Sequence, residues 1–269
     1  MGLDAFVRCR CWQDGLTNPL PVAREFVTEV EGDLCLTLPW EGSEESHARF
    51  DRWVAEGACP HPDMERASEH IANWSGYRLF QHALDAGGGQ IRFPVLCARL
   101  PDANGGTLEP EEARLALEEL CRFDGLADLG TKTILLDEDT GQTVTTHVAA
   151  YRGVFIYARA YRAGIDPGGF FLWDGGADPP TELFRSRRFT QEALADRSVR
   201  FTALDRAAEV TLAEIAPLGA ARRSDTAGYP RRLRVDTVRR TPQEFAHIVQ
   251  PLTAVCEASV ETGNPVIWC

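Results

Sequence analysis

The sequence predicts an α+β fold with a mixed or antiparallel sheet, about four helices and a β-rich middle section. Three observations lead there. Alternating apolar and polar residues with aromatic and β-branched members open the chain over 3–12. Amphipathic runs of helical period follow between 43 and 126 and return over 241–262. Between them, from 131 to about 212, short strand-like runs punctuated by glycine dominate. The simplest division is an α+β body made of 1–130 plus 241–269. Residues 131–240 then form a β-rich insertion on that body or an extension of its sheet.

The first strand, LDAFVRCRCW, ends in the turn chemistry of Asp14-Gly15 and Asn18-Pro19. Runs at 25–30 and 34–38 flank Glu31-Gly32-Asp33, a tight hairpin connection, so the first three strands are expected to form an antiparallel meander. Ser43 starts a helix that lasts to Glu56, with Phe50, Trp53 and Val54 on its apolar face, and Gly57 stops it. In Cys59-Pro60-His61-Pro62 the two prolines hold the chain extended. A second helix is expected from Met64 to Ala86, with Gly87-Gly88-Gly89 at its end. Its residues His70, Asn73 and Tyr77 would share one face, with Glu69 and His82 nearby. Residues 90–99 look like a strand placed at an edge or bulge by Pro94. Pro110 and Gly125 bracket a third helix, whose buried face is expected to be Leu115, Leu117, Leu120 and Cys121.

In the middle section a hairpin turns around Asp139-Thr140-Gly141. Residues 153–161, 168–176, 198–203 and 208–212 are strand candidates, and a short helix is expected around 190–196. Residues 219–240 are rich in arginine. Those of 232–238 alternate outward as on an exposed edge strand, where charge blocks edge-to-edge pairing. Thr241-Pro242-Gln243-Glu244 has the composition of a capping box for the last helix. Gly263-Asn264-Pro265 then turns into a final strand, Val266-Ile267-Trp268.

Composition bounds function. The 269 residues are enough for one large domain or two small ones, and the apolar fraction of 44% is ordinary for a globular chain. A net charge of −12, from 40 acidic against 28 basic residues, repels phosphate backbones and disfavours nucleic acid. It suits a basic protein partner, and it also keeps an acidic cytoplasmic protein in solution. Lys132 is the single lysine, and the wealth of Arg, Ala and Gly fits a GC-rich bacterial genome. The opening residues carry no secretory pattern, and no apolar run is long enough to span a membrane. Eight cysteines in such a chain point to thiols rather than a disulfide framework.

Cysteine chemistry is the sharpest signal. Cys9 and Cys11 are two apart on a strand and would project from one face. Cys59 and His61 repeat that spacing in the proline-held segment. Together they form a Cys3His set suited to tetrahedral zinc. The spacing is not the C-x2-C of zinc fingers, and the same cysteines would serve as small core residues. No Walker A, G-x-S-x-G or H-E-x-x-H sequence is present, and Gly168-Gly169 and Gly175-Gly176 lack a dinucleotide-binding context. The acidic run Asp137-Glu138-Asp139 is better explained as a turn.

The opening MGLDAFVRCRCW resembles the start of a family of small uncharacterised bacterial proteins, which begin MGLD and carry two cysteines one residue apart at the end of the first strand. The resemblance continues at Cys59-x-His61-x-x-Met64, His70-Ile71-Ala72-Asn73, Phe93-Pro94-Val95-Leu96 and Gly263-Asn264-Pro265-Val266-Ile267. It covers roughly the first 125 residues and the last 30. It implies that 1–130 and 241–269 form one body, that the β-rich middle is an addition, and that Cys9, Cys11, Cys59 and His61 share a site. It brings no activity with it.

Three functional readings follow. In the first, a cytoplasmic zinc protein uses Cys9, Cys11, Cys59 and His61 as a structural site, and the β-rich middle recognises a small molecule or partner. In the second, one of the four gives way to water and a metal-dependent, hydrolase-like enzyme results, with Glu69, His70 or Asn73 nearby for proton transfer. In the third, an acidic, metal-free protein binds or neutralises a basic partner such as a toxin.

Overall fold

The structure, a computed structural model, describes residues 2–30, 33–158, 160–176, 179–220 and 228–269. Glu31 and Gly32 of the expected hairpin turn, and Arg222 and Arg223 of the arginine-rich stretch, lie outside the described residues. The chain is α+β, with antiparallel sheets throughout. Its contacts divide it into two compact units, 1–127 with 242–269, and 128–241.

In the first unit the elements run β1 (Gly2–Arg8), β2 (Val27–Val30), β3 (Asp33–Leu36), α1 (Glu44–Arg52), β4 (Glu65–Asn73), α2 (Trp74–Ala86), α3 (Gly89–Arg92), α4 (Pro94–Arg99), β5 (Thr107–Leu108) and α5 (Pro110–Asp124). The second unit holds β6 (Thr131–Asp137), β7 (Thr143–Thr146), β8 (Val154–Ile156), β9 (Tyr161–Asp166), β10 (Gly169–Asp174), β11 (Thr181–Ser186), β12 (Arg188–Ala193), β13 (Val199–Ala203), β14 (Glu209–Leu212) and β15 (Arg232–Arg239). The chain returns to the first unit with α6 (Ala246–Thr262) and β16 (Val266–Trp268).

The sheet of the first unit has the order β4-β1-β16-β5. Leu3, Ala5 and Val7 of β1 are buried, each two residues from the next, as one face of a strand requires. Helices α5 and α6 pack against each other, and α6 lies on β1 and β4. Phe80, Phe93, Phe123 and Phe245 fill the helical core, with ring centroids 5.2–6.0 Å apart. Helix α5 starts at a capping box in which Glu109 and Glu112 each accept from the other's backbone amide. Helix α6 stops at Gly263, whose φ of +70° suits glycine and whose N–H returns to Ser259 O.

Several expectations are corrected here. Residues 65–73 are a strand, not the first half of a helix. Glu, Arg and Ala favour a helix locally, but pairing with β1 along the whole segment outweighs that preference. Asn73 caps α2 instead, its side chain accepting from Gly76 N at 2.9 Å. His70, Asn73 and Tyr77 therefore share no helix face. Tyr77 is buried, and its hydroxyl donates to Pro101 O. The stretch 90–99 is helical. Pro94 sits at the first turn of α4, and the buried Glu119 carboxylate accepts from Val95 N (3.0 Å) and Leu96 N (2.8 Å). Helix α5 buries Ala113, Ala116, Glu119, Leu120 and Phe123, leaving Leu115 and Cys121 exposed. Strand β1 makes no meander with β2 and β3, because β4 and β16 occupy both its edges; β2 and β3 form a separate hairpin.

In the second unit, six strands pair in the order β14-β13-β12-β15-β6-β7, and four in the order β11-β10-β9-β8. Phe170, Phe184, Phe189 and Phe201 form the centre of its core, with rings 4.7–6.4 Å apart. Residues 188–193 are a strand rather than a helix, since Phe189 and Gln191 are buried between β13 and β15. Strand β15 lies inside its sheet, not at an edge. Its arginines are handled by ion pairs, Arg232 with Glu138 at 3.5 Å and Arg234 with Asp236 at 3.0 Å. Asp137 builds the β6–β7 turn, its carboxylate accepting from Asp139 N and Thr140 Oγ1.

Candidate metal centre

Strand β1 ends at Arg8, so Cys9 and Cys11 lie just past it rather than on it. The Cys9 amide carries the ladder one step further, donating to Met64 O at 2.7 Å. The chain then turns, with Leu16 N returning to Cys11 O at 2.8 Å. That turn, rather than strand alternation, aims both thiols inward.

The second pair comes from the segment between the helix that opens at Glu44 and strand β4. Asn18 anchors its start, donating from its side chain to Gly57 O and from its backbone to Ala58 O, both at 2.8 Å. Pro60 and Pro62 restrict φ on either side of His61, which is extended at φ −94°, ψ 118°. Asp63 and Met64 follow with φ of +51° and +56°. Two successive non-glycine residues in the left-handed region are costly, about 1–3 kcal/mol each, and the surrounding bonds must hold them. Arg8 does so. It donates to Asp63 O at 2.6 Å and to Asp33 Oδ1 at 2.5 and 2.8 Å, while its guanidinium lies over Phe6.

These two segments bring four ligand atoms together. Cys9 Sγ lies 3.6 Å from Cys59 Sγ, Cys11 Sγ lies 3.5 Å from His61 Nδ1, and Cys59 Sγ lies 3.8 Å from the same nitrogen. All four atoms fall within 4.8 Å of one another. Zinc bond lengths of about 2.3 Å to sulfur and about 2.0 Å to nitrogen set tetrahedral edges of about 3.8 Å (S to S) and about 3.5 Å (S to N). The three separations of 3.6, 3.5 and 3.8 Å lie close to those edges. No other group of three or more His, Cys, Asp or Glu side chains among the described residues is placed to hold a metal.

Cys9 and Cys11 are buried, and Cys59 and His61 are half-buried. Burial pushes the Cys9 thiol up to about 12, with Cys59 adding to it, and burial likewise raises Cys11. Such thiols are poor free nucleophiles at neutral pH, because the thiolate is the reactive form. A bound cation reverses the balance by deprotonating the thiols that coordinate it.

The cluster sits in a small core of its own, formed by Val27, Phe50, Trp53, Ala58 and Met64 with the two buried cysteines. A cavity of about 270 Å³ adjoins it, and of the four candidate ligands only Cys9 lines it. Two residues that support the site were missed by sequence reasoning. Arg8 pins the strained turn. Asn264, from the turn after α6, donates to Arg8 O at 2.9 Å and Cys9 O at 3.3 Å, fixing the backbone that presents Cys9. The Gly-Asn-Pro turn was the available signal for Asn264; nothing in the sequence marked Arg8.

Comparisons of the chain with protein-family models, curated proteins and solved structures give no match. No helix among the described residues is long and apolar enough to cross a membrane.

Proposed function

We propose that this is a cytoplasmic zinc protein in which Cys9, Cys11, Cys59 and His61 bind one structural ion. The observation that carries the reading is the convergence of three sulfurs and one imidazole nitrogen, from segments 50 residues apart, at tetrahedral separations. Three thiolates and an imidazole suit zinc better than magnesium, calcium or manganese, which prefer oxygen ligands. Four protein donors leave no open position, which supports a structural rather than a catalytic ion. The small, loop-rich core around the site is the kind that needs a staple. All eight cysteines are free, in keeping with a reducing compartment. A role for the β-rich unit in recognising a small molecule or partner belongs to the same reading; the acidic charge that would suit a basic protein lies on the first unit, since residues 128–241 hold 17 basic against 15 acidic residues.

The test is metal content. Protein purified without chelator or histidine tag should carry about one zinc per chain, and the Cys9→Ser/Cys11→Ser variant should carry none. Zinc retained at full occupancy in the variant, or no zinc in the parent after reconstitution, would sink the assignment.

A further inference from the structure

The four candidate ligands are not equivalent, and the difference points to a way of opening the site. Cys9 Sγ and Cys59 Sγ lie 3.6 Å apart, within hydrogen-bond range for sulfur. Cys11 is instead beside His61, at 3.5 Å. Cys9 and Cys11 are only two residues apart, a spacing that makes a disulfide between them a strained small ring. Of the four, Cys9 is the one that lines the adjoining cavity. A small oxidant entering that cavity therefore meets Cys9 first, with Cys59 directly behind it.

We infer that the site is a peroxide-sensitive switch, in which oxidation joins Cys9 to Cys59 and releases the metal. The inference rests on the zinc reading above. The chemistry balances with hydrogen peroxide as the two-electron oxidant. The Cys9 thiolate attacks one peroxide oxygen, the O–O bond breaks, and hydroxide leaves, giving a Cys9 sulfenic acid. The Cys59 thiolate then attacks the Cys9 sulfur. The S–S bond forms as the S–O bond breaks, and a second hydroxide departs. Two electrons pass from the sulfur pair to peroxide, and zinc remains divalent throughout. With two of four ligands consumed, the ion keeps only Cys11 and His61 and dissociates.

The geometry makes this a switch and not simple damage. The disulfide joins the same two segments that the metal joined, the turn after β1 and the proline-held segment before β4. Oxidation thus replaces one cross-link with another. What changes is that Cys11 and His61 lose their ligand role.

The experiment is a peroxide titration of the zinc-loaded full chain, read by a chromophoric zinc chelator, by thiol counting and by peptide mapping. Zinc content in the reduced protein is measured first. The expected result is release of zinc in step with loss of two of the eight free thiols. A Cys9–Cys59 cross-linked peptide should appear, and dithiothreitol with added zinc should restore both values. Cys35→Ser should behave as the parent, since Cys35 lines the cavity beside Cys9 yet takes no part. Zinc released without that cross-link, with sulfinic acid or a Cys9–Cys35 peptide instead, overturns the switch and leaves the zinc reading standing. Zinc retained through full peroxide treatment does the same. Reduced protein that holds no zinc overturns both.

Discussion

At the scale of residues, two side chains outside the four candidate ligands support the candidate metal centre. Asn264 donates to the carbonyls of Arg8 and Cys9, and Arg8 holds the left-handed pair Asp63–Met64. Partners that orient ligands in this way typically matter by 10–100-fold in metal affinity. Asn264→Ala and Arg8→Ala are each expected to weaken zinc binding by about that factor without abolishing it. Competition against a chelator of known affinity measures the change, and an unchanged dissociation constant in both variants would remove these residues from the site. The ligands themselves were legible because cysteine and histidine are few and their one-residue spacings repeat. Their supports were not. A strand arginine and a turn asparagine look the same in sequence whether they face water or a neighbouring carbonyl.

At the scale of elements, the reading succeeded where apolar period and capping chemistry agreed, and failed where polar composition hid a strand. Helix α5 was legible from Pro110 and Gly125, though its buried face is turned from the expected one. Ala113, Ala116 and Glu119 are buried where α5 packs against α4 and α6. Strand β4 was missed because ERASEHIAN has the composition of a helix, and only β1 alongside it decides the matter. The same holds for β12. Glu119 makes α4 possible by accepting two amide protons that the helix itself cannot satisfy. Glu119→Ala strands both in a buried place and is expected to cost about 3 kcal/mol. Urea denaturation would show it as a lower midpoint at constant slope; a midpoint equal to the parent's would mean the two amides find other partners.

At the scale of the whole molecule, the two units carry separate aromatic cores and only one carries the metal centre. Removing zinc should therefore act on one unit. Five of the six tryptophans, at 12, 40, 53, 74 and 268, belong to the first unit, and Trp173 alone belongs to the second. Tryptophan fluorescence thus reports mainly the unit with the metal. A strong chelator is expected to lower the fluorescence-detected melting transition by about 10 °C or more, while a second transition, seen by calorimetry, stays in place. Equal shifts of both, or no shift of either, would contradict a staple confined to the first unit.

The position of β1 in its sheet has a consequence for synthesis. Ala5 pairs with Trp268, so one neighbour of β1 is synthesised more than 200 residues after it. Chains fold from the N-terminus as they emerge, and pairings this distant in sequence form slowly. All four candidate ligands, by contrast, lie within the first 61 residues. The nascent chain can gather its ion soon after β1 emerges and hold the turn after β1 in place while the other edge of that strand stays open for a partner more than 200 residues away.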